Sequence, residues 1–596
     1  SDVKHALRIG SAAQRREKQL AAIAIVKAMV ASIGSEGKFA GSDKVEPPTS
    51  LLFARMLLGQ LYDASGRYAA ALAVLTEAIA HSPTCVELYM VKAKVLKHCG
   101  SLTAAADLID LGRKMDLGDR FVNSKTTKYL LRDDRVTQGV ETIHLFTKTE
   151  GEYQSTLFDM QCMWYEIDRA ESHERQSEWG PALKQFLALE KHMKDISEDQ
   201  FDFHTYCIRK ATLRAYMQMI RMQDHLSGHP FIQRAIRGAV RIYLRLVDNP
   251  VPPPTPEELE AEAKAAAEAK AKKVAEAAAK KKKAGKSAPK GEADGDDKAD
   301  DDDPEGKKLV RVDALEEASK YAKLLLESSQ ASAADRLEGQ MLAYEVAMRQ
   351  GKELLALMVR SFSLELCVCV CVCVCMCSHV FSLVSRSSAV PPFCAQALKR
   401  GIAACGSKDH PKVHPRLVAL LHKFDTTLAA EVSGEPSRRL DVVARVVAAE
   451  KADLGIEQSA LSYASEYITR VAGDLERTLA GALALCKIDA AGAGALAVSS
   501  VLAATESIEV EGSDAFCCDS RVSQLRYCIA AHAFLEENAD AAKVTAHREL
   551  CHSRFPIAAA FASEEETTRS YEEHVGAVAI VQKVESTPES EVTSEP

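Results

Sequence analysis

Basic side chains at helical spacing are the residues of this sequence best placed to do chemistry. In DRFVNSKTTKYLLRDDR, Lys125, Lys128, Arg132 and Arg135 recur at i, i+3, i+7 and i+10, which gathers their charges on one face of a helix. Arg209, Lys210 and Arg214 come two helices later, and Arg234, Arg237, Arg241 and Arg245 form a further stripe. Such a face either holds a polyanion through charge-assisted contacts or is solvated and paired with local carboxylates. Spacing alone leaves both readings open. An inositol polyphosphate, ribosomal RNA and an acidic partner surface all fit the first.

Catalytic chemistry is not visible. There is no Walker loop, no HExxH and no serine-hydrolase elbow. Asp489-Ala-Ala-Gly492-Ala-Gly494 comes nearest to an acetyl-CoA loop, but Asp at its first position would repel the phosphates such a loop must hold. It also follows a helical segment rather than a strand, and reads as an interhelical turn. His410 and His414 have the spacing of helical metal ligands, yet Pro411 and Pro415 flank them and no further ligand completes a set, so a surface turn is expected. The chain is expected to carry no metal and no cofactor of its own.

These groups need elements to position them. The 596 residues suffice for several cores, with 47% hydrophobic residues, 6% aromatic and two Trp. Alanine and leucine dominate, which favours helices. A net charge of −9 confines any basic site to a local patch. The first twenty residues contain no signal-peptide apolar run. Residues 52–83, LFARMLLGQLYDASGRYAAALAVLTEAIAHSP, place Leu58, Gly59, Tyr62, Ala71, Leu75, Ala78 and Pro83 at tetratricopeptide positions. Gly66 and Ala71 recur as Gly100 and Ala105, with Ala93 in place of Gly59. A weaker unit covers 120–153, and another places Ala170 and Ala182 on facing helices.

The expected fold is all-α: a right-handed tetratricopeptide-like solenoid of helical hairpins over 1–250, with a concave surface for a partner. Residues 251–311 read as a linker, Pro-rich, then Lys-rich, then acidic and disordered. C-terminal helical repeats follow over 312–565, and an acidic tail over 566–596. The cysteines outside residues 367–377 are scattered without paired spacing and read as reduced, mostly buried thiols.

DRFVNSKTTKYLL, MQCMWYEIDRA, FDFHTYCIRKATLRAY and HPFIQRAIRGAVRIYLRLVDNP closely resemble the large auxiliary subunit of the N-terminal acetyltransferase A complex. LEEASKYAKLLL, DHPKVHPRLVALL and HRELCHSRFPIAAAF follow in the expected order, so the resemblance runs from about Glu46 to Phe561. That family carries several more N-terminal repeats. The resemblance implies a non-catalytic scaffold wrapped around a GNAT-fold catalytic subunit, tuning its active site and tethering it to the ribosome for co-translational N-alpha-acetylation. It implies acetyl-CoA only through that partner, a second acetyltransferase and a small huntingtin-interacting regulator as further partners, no membrane, and a cytoplasmic, ribosome-associated location with a nuclear pool. It also implies inositol hexakisphosphate as a structural ligand, which assigns a polyphosphate-binding role to Arg120, Lys125, Lys128, Tyr129, Arg209, Lys210 and Arg214. The alternative is a generic helical-repeat adaptor or RNA-associated protein with no acetyltransferase partner.

One stretch fits none of this. CVCVCVCVCMC, residues 367–377, alternates thiols that a strand would set in a row about 7 Å apart, too open to enclose one ion. Disulfides conflict with the reducing compartment that the resemblance implies. A membrane span over 366–384 would be interrupted by Ser378, His379 and Ser382. A TG dinucleotide repeat, however, encodes Cys-Val-Cys-Val. PPFCAQ (391–396) can be encoded as a pyrimidine-rich run closing on CAG, and Val359-Arg360 can begin GTGAG. Residues 359–396 therefore read as an intron-derived insertion. Their deletion joins KELLALM to ALKRGIAAC and brings Leu354, Leu357, Leu398 and Ile402 to helical spacing. Sequencing the mature transcript across codons 350–405 is expected to show the insert spliced out; the TG repeat in most copies would overturn this reading.

Overall fold

The computed structural model describes residues 12–147, 153–198, 213–252, 303, 305–327, 332–350, 402, 407–432, 451–452, 456, 458–489, 492–508 and 521–576. Every element of more than an isolated bridge among them is helical, the exception being an antiparallel pair between Lys38 and Val45. Packing divides the chain into two bodies, one of residues 1–160 with 351–596 and one of 161–350.

The first body opens with α1 (Ala12–Glu36), α2 (Pro48–Ala64), α3 (Tyr68–His81), α4 (Val86–Cys99), α5 (Leu102–Met115), α6 (Arg120–Arg132), α7 (Val136–His144) and α8 (Tyr153–Asp159). From α1 to α7, each helix packs on the next. By length and composition Gln14–Glu36 could cross a membrane, but Ile23 and Val26 of α1 join the core shared with α2.

The tetratricopeptide positions behave as the pattern requires. Leu58, Tyr62, Ala71, Leu75 and Ala78 are buried. A Cβ built on Gly59 would stand 2.7 Å from Leu75 Cγ, so only a glycine lets α2 and α3 approach this closely. In the next hairpin Ala93 and Ala105 are buried, and Gly100 ends α4 in the left-handed region at φ 88°.

The same body continues with α16 (His414–Val432), α17 (Ala460–Arg470), α18 (Leu475–Ile488), α19 (Gly494–Glu506), α20 (Arg521–Asn538), α21 (Ala541–Arg554) and α22 (Glu564–Tyr571), followed by a π-helical turn, Glu572–Gly576. Here the structure corrects the boundary of the acidic tail. Ser563 and Glu566 form a capping box that starts α22. Val575 enters the core of the first repeats, Tyr571 Oη donates to Asp107 Oδ2 at 3.1 Å, and the buried Lys92 Nζ donates to the His574 carbonyl at 3.0 Å. Residues 564–576 are thus bound structure; 577–596 lie outside the described residues.

The second body contains α9 (Met163–Arg175), α10 (Trp179–Glu198), α11 (Leu213–Asp224), α12 (Pro230–Asp248), α13 (Lys307–Val310), α14 (Ala314–Glu327) and α15 (Ala333–Gln350). Ala170 and Ala182 are both fully buried where α9 meets α10. Tyr243 of α12 stacks on Tyr321 of α14, centroids 6.1 Å apart and 3° from parallel. Helices on either side of the charged stretch therefore share one core, so the division by packing falls elsewhere than the composition breaks at 250 and 312. Most of that stretch, and the Cys/Val tract, lie outside the described residues.

Gly59→Val should force Leu75 out of its rotamer, at about 1–3 kcal/mol. Thermal melts followed by helical circular dichroism are expected to show a lowered Tm; an unchanged Tm would mean that α2 and α3 do not meet at this point.

Candidate polyanion site

The Asp119 side chain starts α6, accepting from Phe121 N at 2.7 Å. The inner face of the helix is buried through Val122, Thr126, Leu130 and Leu131. Asn123 ties that face to α7, its Nδ2 donating to the Thr142 carbonyl at 2.9 Å. The outer face carries Lys125 and Arg132, both exposed, and the half-buried Lys128. Lys125 Nζ lies 5.2 Å from the centroid of the Phe121 ring, and the Arg120 guanidinium 5.6 Å from that of Phe146.

Sequence reasoning missed the neighbouring helix. Lys97 of α4 places Nζ 5.8 Å from the Tyr129 ring centroid. Burial, and then the charges of Arg132, Lys94 and Lys125, push its ammonium down to about 8. Tyr129 is pushed up to about 12 by burial. Lys94 is held differently, at 2.7 Å from Asp63 Oδ2, while His98 Nδ1 lies 2.5 Å from Asp63 Oδ1. Burial alone would raise the Asp63 carboxyl; contacts with His98 and Lys94 outweigh it and hold the group below the ordinary carboxylate range. The visible signal was VKAKVLKHCG, with Lys94 and Lys97 one turn apart; what could not be read was that the Lys97 side chain reaches Tyr129 of α6.

Arg135 lies beyond the end of α6 and turns to Asp107 at 2.6 Å and Asp133 at 2.7 Å, so it does not extend the face. Arg214 is exposed on α11 in the second body, and Arg209 and Lys210 lie outside the described residues. The stripe on α12 is paired with carboxylates: Arg234 with Glu171 and Asp168, Arg237 with Asp335, and Arg241 and Arg245 with Glu174 at 3.3 and 3.6 Å. For that stripe the local-pairing reading holds.

Asp489 follows α18 and accepts from Gly492 N at 2.8 Å, and Gly494 opens α19; Ala490 and Ala491 between them lie outside the described residues. His414 is not on a surface turn. It is fully buried, with its ring centroid 3.4 Å from that of Tyr467, and burial pushes its imidazole down to about 3. Val413, Leu417 and Leu421 are buried around the start of α16, which draws the histidine inward despite the flanking prolines.

The family described as N-terminal acetyltransferase A, auxiliary subunit, matches residues 9–361, more than half of the chain. The chain belongs to that family. Among its relatives is the N-terminal acetyltransferase A complex auxiliary subunit NAA15 of Arabidopsis thaliana, 46% identical over 340 residues, which cover 56% of this chain and 37% of the relative. The human N-alpha-acetyltransferase 16, NatA auxiliary subunit, is 43% identical over 206 residues, 35% of this chain and 24% of the relative. The chain thus spans little more than a third of these relatives' length or less. A solved structure of Naa15/Naa10 bound to HypK-THB shares the fold at TM-score 0.50 and 24% identity, covering 73% of this chain and 50% of that one. The all-α fold expected from the repeats is shown by this likeness and by the helices above.

Lys97 binds fewer protons in the folded than in the unfolded chain between its folded value, about 8, and the ordinary 10.5. Stability attributable to it therefore rises with pH through that window. Lys97→Met should raise Tm at pH 7 in low salt, and the difference should shrink as the pH climbs past 8 towards 10.5. Melts of both proteins across that range check this; a pH-independent difference would remove the ammonium as its cause.

Proposed function

We propose that this chain is a non-catalytic auxiliary subunit that holds a GNAT-fold acetyltransferase, adjusts its active site and tethers it to the ribosome for co-translational N-alpha-acetylation. Membership of the auxiliary-subunit family over residues 9–361 is the observation that carries the reading. A small regulator and a second acetyltransferase are proposed as further partners, and a cytoplasmic, ribosome-associated location with a nuclear pool goes with them. The solved structure of Naa15/Naa10 bound to HypK-THB supports the catalytic partner and the small regulator. Acetyl-CoA enters only through the catalytic partner.

The cluster on α4 and α6 supports inositol hexakisphosphate as a structural ligand. Burial, and after it the charges of Arg132, Lys94 and Lys125, depress the Lys97 ammonium, and a multivalent phosphate would relieve the repulsive part. Arg120, Lys128 and Tyr129 would border it. Each charge-assisted contact contributes about 1.5–3 kcal/mol.

Co-expression with a GNAT catalytic subunit of the complex, affinity capture of this chain, and assay with acetyl-CoA and a Ser-starting peptide test the proposal. The pair should co-purify and acetylate, and this chain alone should give only the blank rate. Lys125→Glu with Lys128→Glu should weaken capture and abolish the gain from added inositol hexakisphosphate. Recovery of RNA-binding proteins without an acetyltransferase would favour a generic adaptor instead.

A further inference from the structure

The segment that docks on the first repeats also fixes where the chain goes next. Val575 is buried in their core, the His574 carbonyl accepts from Lys92 Nζ of α4 at 3.0 Å, and Tyr571 Oη donates to Asp107 Oδ2 of α5 at 3.1 Å. Residues 577–596 therefore continue from a point pinned against α4. They read AVAIVQKVESTPESEVTSEP. Lys583 is the one charged residue among 577–584; Glu585, Glu589, Glu591 and Glu595 follow, with no basic residue after Lys583.

The same helix carries part of the basic cluster. Lys97 lies beyond Lys92 on α4, about 7.5 Å further along the axis. Its Nζ is 5.8 Å from the centroid of the Tyr129 ring, and Lys125 Nζ is 5.2 Å from that of Phe121. Among the described residues no carboxylate pairs with Lys97, Lys125 or Arg132. Lys94, held by Asp63, and the arginines of α12, held by Glu171, Asp335 and Glu174, are already matched. Eight extended residues span about 26 Å, and a helix with its side chains is about 10–12 Å across. Glu585 can thus reach either side of α4 from Gly576. Docked segment and cluster belong to one body.

We propose that the glutamates of residues 585–595 dock on the basic face of α4 and α6 as a tethered counter-ion, which a multivalent phosphate must displace in order to bind. The competition rests on the polyphosphate reading above; the docking of the tail does not. One exposed carboxylate binds an ammonium weakly in water, but several on a short tether act at an effective concentration on the order of millimolar. A separate acidic protein would meet the same charges, yet only the tail is already held on the helix that bears them. The occupant is also displaceable. Its carboxylates are spread along the chain, one charge to a side chain, whereas a multivalent phosphate gathers its charge and its acceptor oxygens in one small group. The tail therefore shields the cluster until such a ligand arrives.

Full-length chain at low salt is treated with a carbodiimide, which joins a carboxylate to an amine in direct contact, and the adducts are mapped by mass spectrometry. Glu585, Glu589, Glu591 or Glu595 should be joined to Lys97, Lys125 or Lys128, with Lys94 and Asp63, 2.7 Å apart, as the internal control. Sodium chloride at about 0.5 M, where the screening length is roughly 4 Å, should remove the tail adducts and spare the control. Changing all four glutamates to Gln should tighten inositol hexakisphosphate binding about 3–10-fold by calorimetry, because the wild-type cluster is open for only a fraction of the time. Tail adducts that are missing, scattered over lysines away from α4 and α6, or formed only between isotopically distinguished copies overturn the proposal, as do equal affinities of the two chains. If neither chain binds inositol hexakisphosphate, the polyphosphate reading fails and the competition with it, while the adducts still decide the docking of the tail.

Discussion

A helical hairpin of this kind can bury only one side of each helix by itself, so the whole protein rests on how closely successive helices approach. Side chains of almost no size make that approach possible. A Cβ on Gly59 would meet Leu75 at 2.7 Å, one on Gly112 would meet Tyr89 at 3.0 Å, and one on Gly139 would meet Leu131 at 3.0 Å. In each case a large residue of one helix fills the notch left on its neighbour. What remains unburied on one hairpin becomes the seat of the next, and stability accumulates along the row through nearest-neighbour interfaces.

That stacking also creates the charged site. Lys97 and Lys125 are 28 positions apart and belong to successive hairpins, yet they sense one another because the Lys97 side chain reaches across to the Tyr129 ring on α6. Holding like charges together next to a buried tyrosine costs the protein stability. A ligand with several phosphates would turn that cost into affinity. The α12 stripe shows the opposite arrangement, with each arginine matched to a carboxylate and little charge left over for a partner.

Repeat positions such as Leu58, Tyr62, Ala71 and Leu75 were legible in the sequence because the pattern is local, set by neighbours three and four residues away. Lys125 and Lys128 were legible for the same reason. Lys97 was not, since its importance comes from a neighbouring helix. Pairing of Arg234, Arg237 and Arg241 depends on carboxylates between about 60 and 100 positions away, which periodicity cannot see. His414 was misplaced because flanking prolines suggested a turn, whereas the apolar residues after it set the burial. The acidic character of residues 564–573 hid a docking segment, because Val575 and the backbone at His574 do the binding.

The contact between Lys92 and the His574 carbonyl joins positions 482 residues apart. During synthesis the chain emerges at roughly 5–20 residues per second, so the first repeats wait on the order of tens of seconds for the segment that covers them. Through that interval the seat of Val575 lies open and the Lys92 ammonium lacks its acceptor. Loop-closure entropy grows only with the logarithm of length, so the delay adds little to the equilibrium cost. It is a cost in time: while the wait lasts, the early hairpins are exposed to chaperones, proteases and other nascent chains.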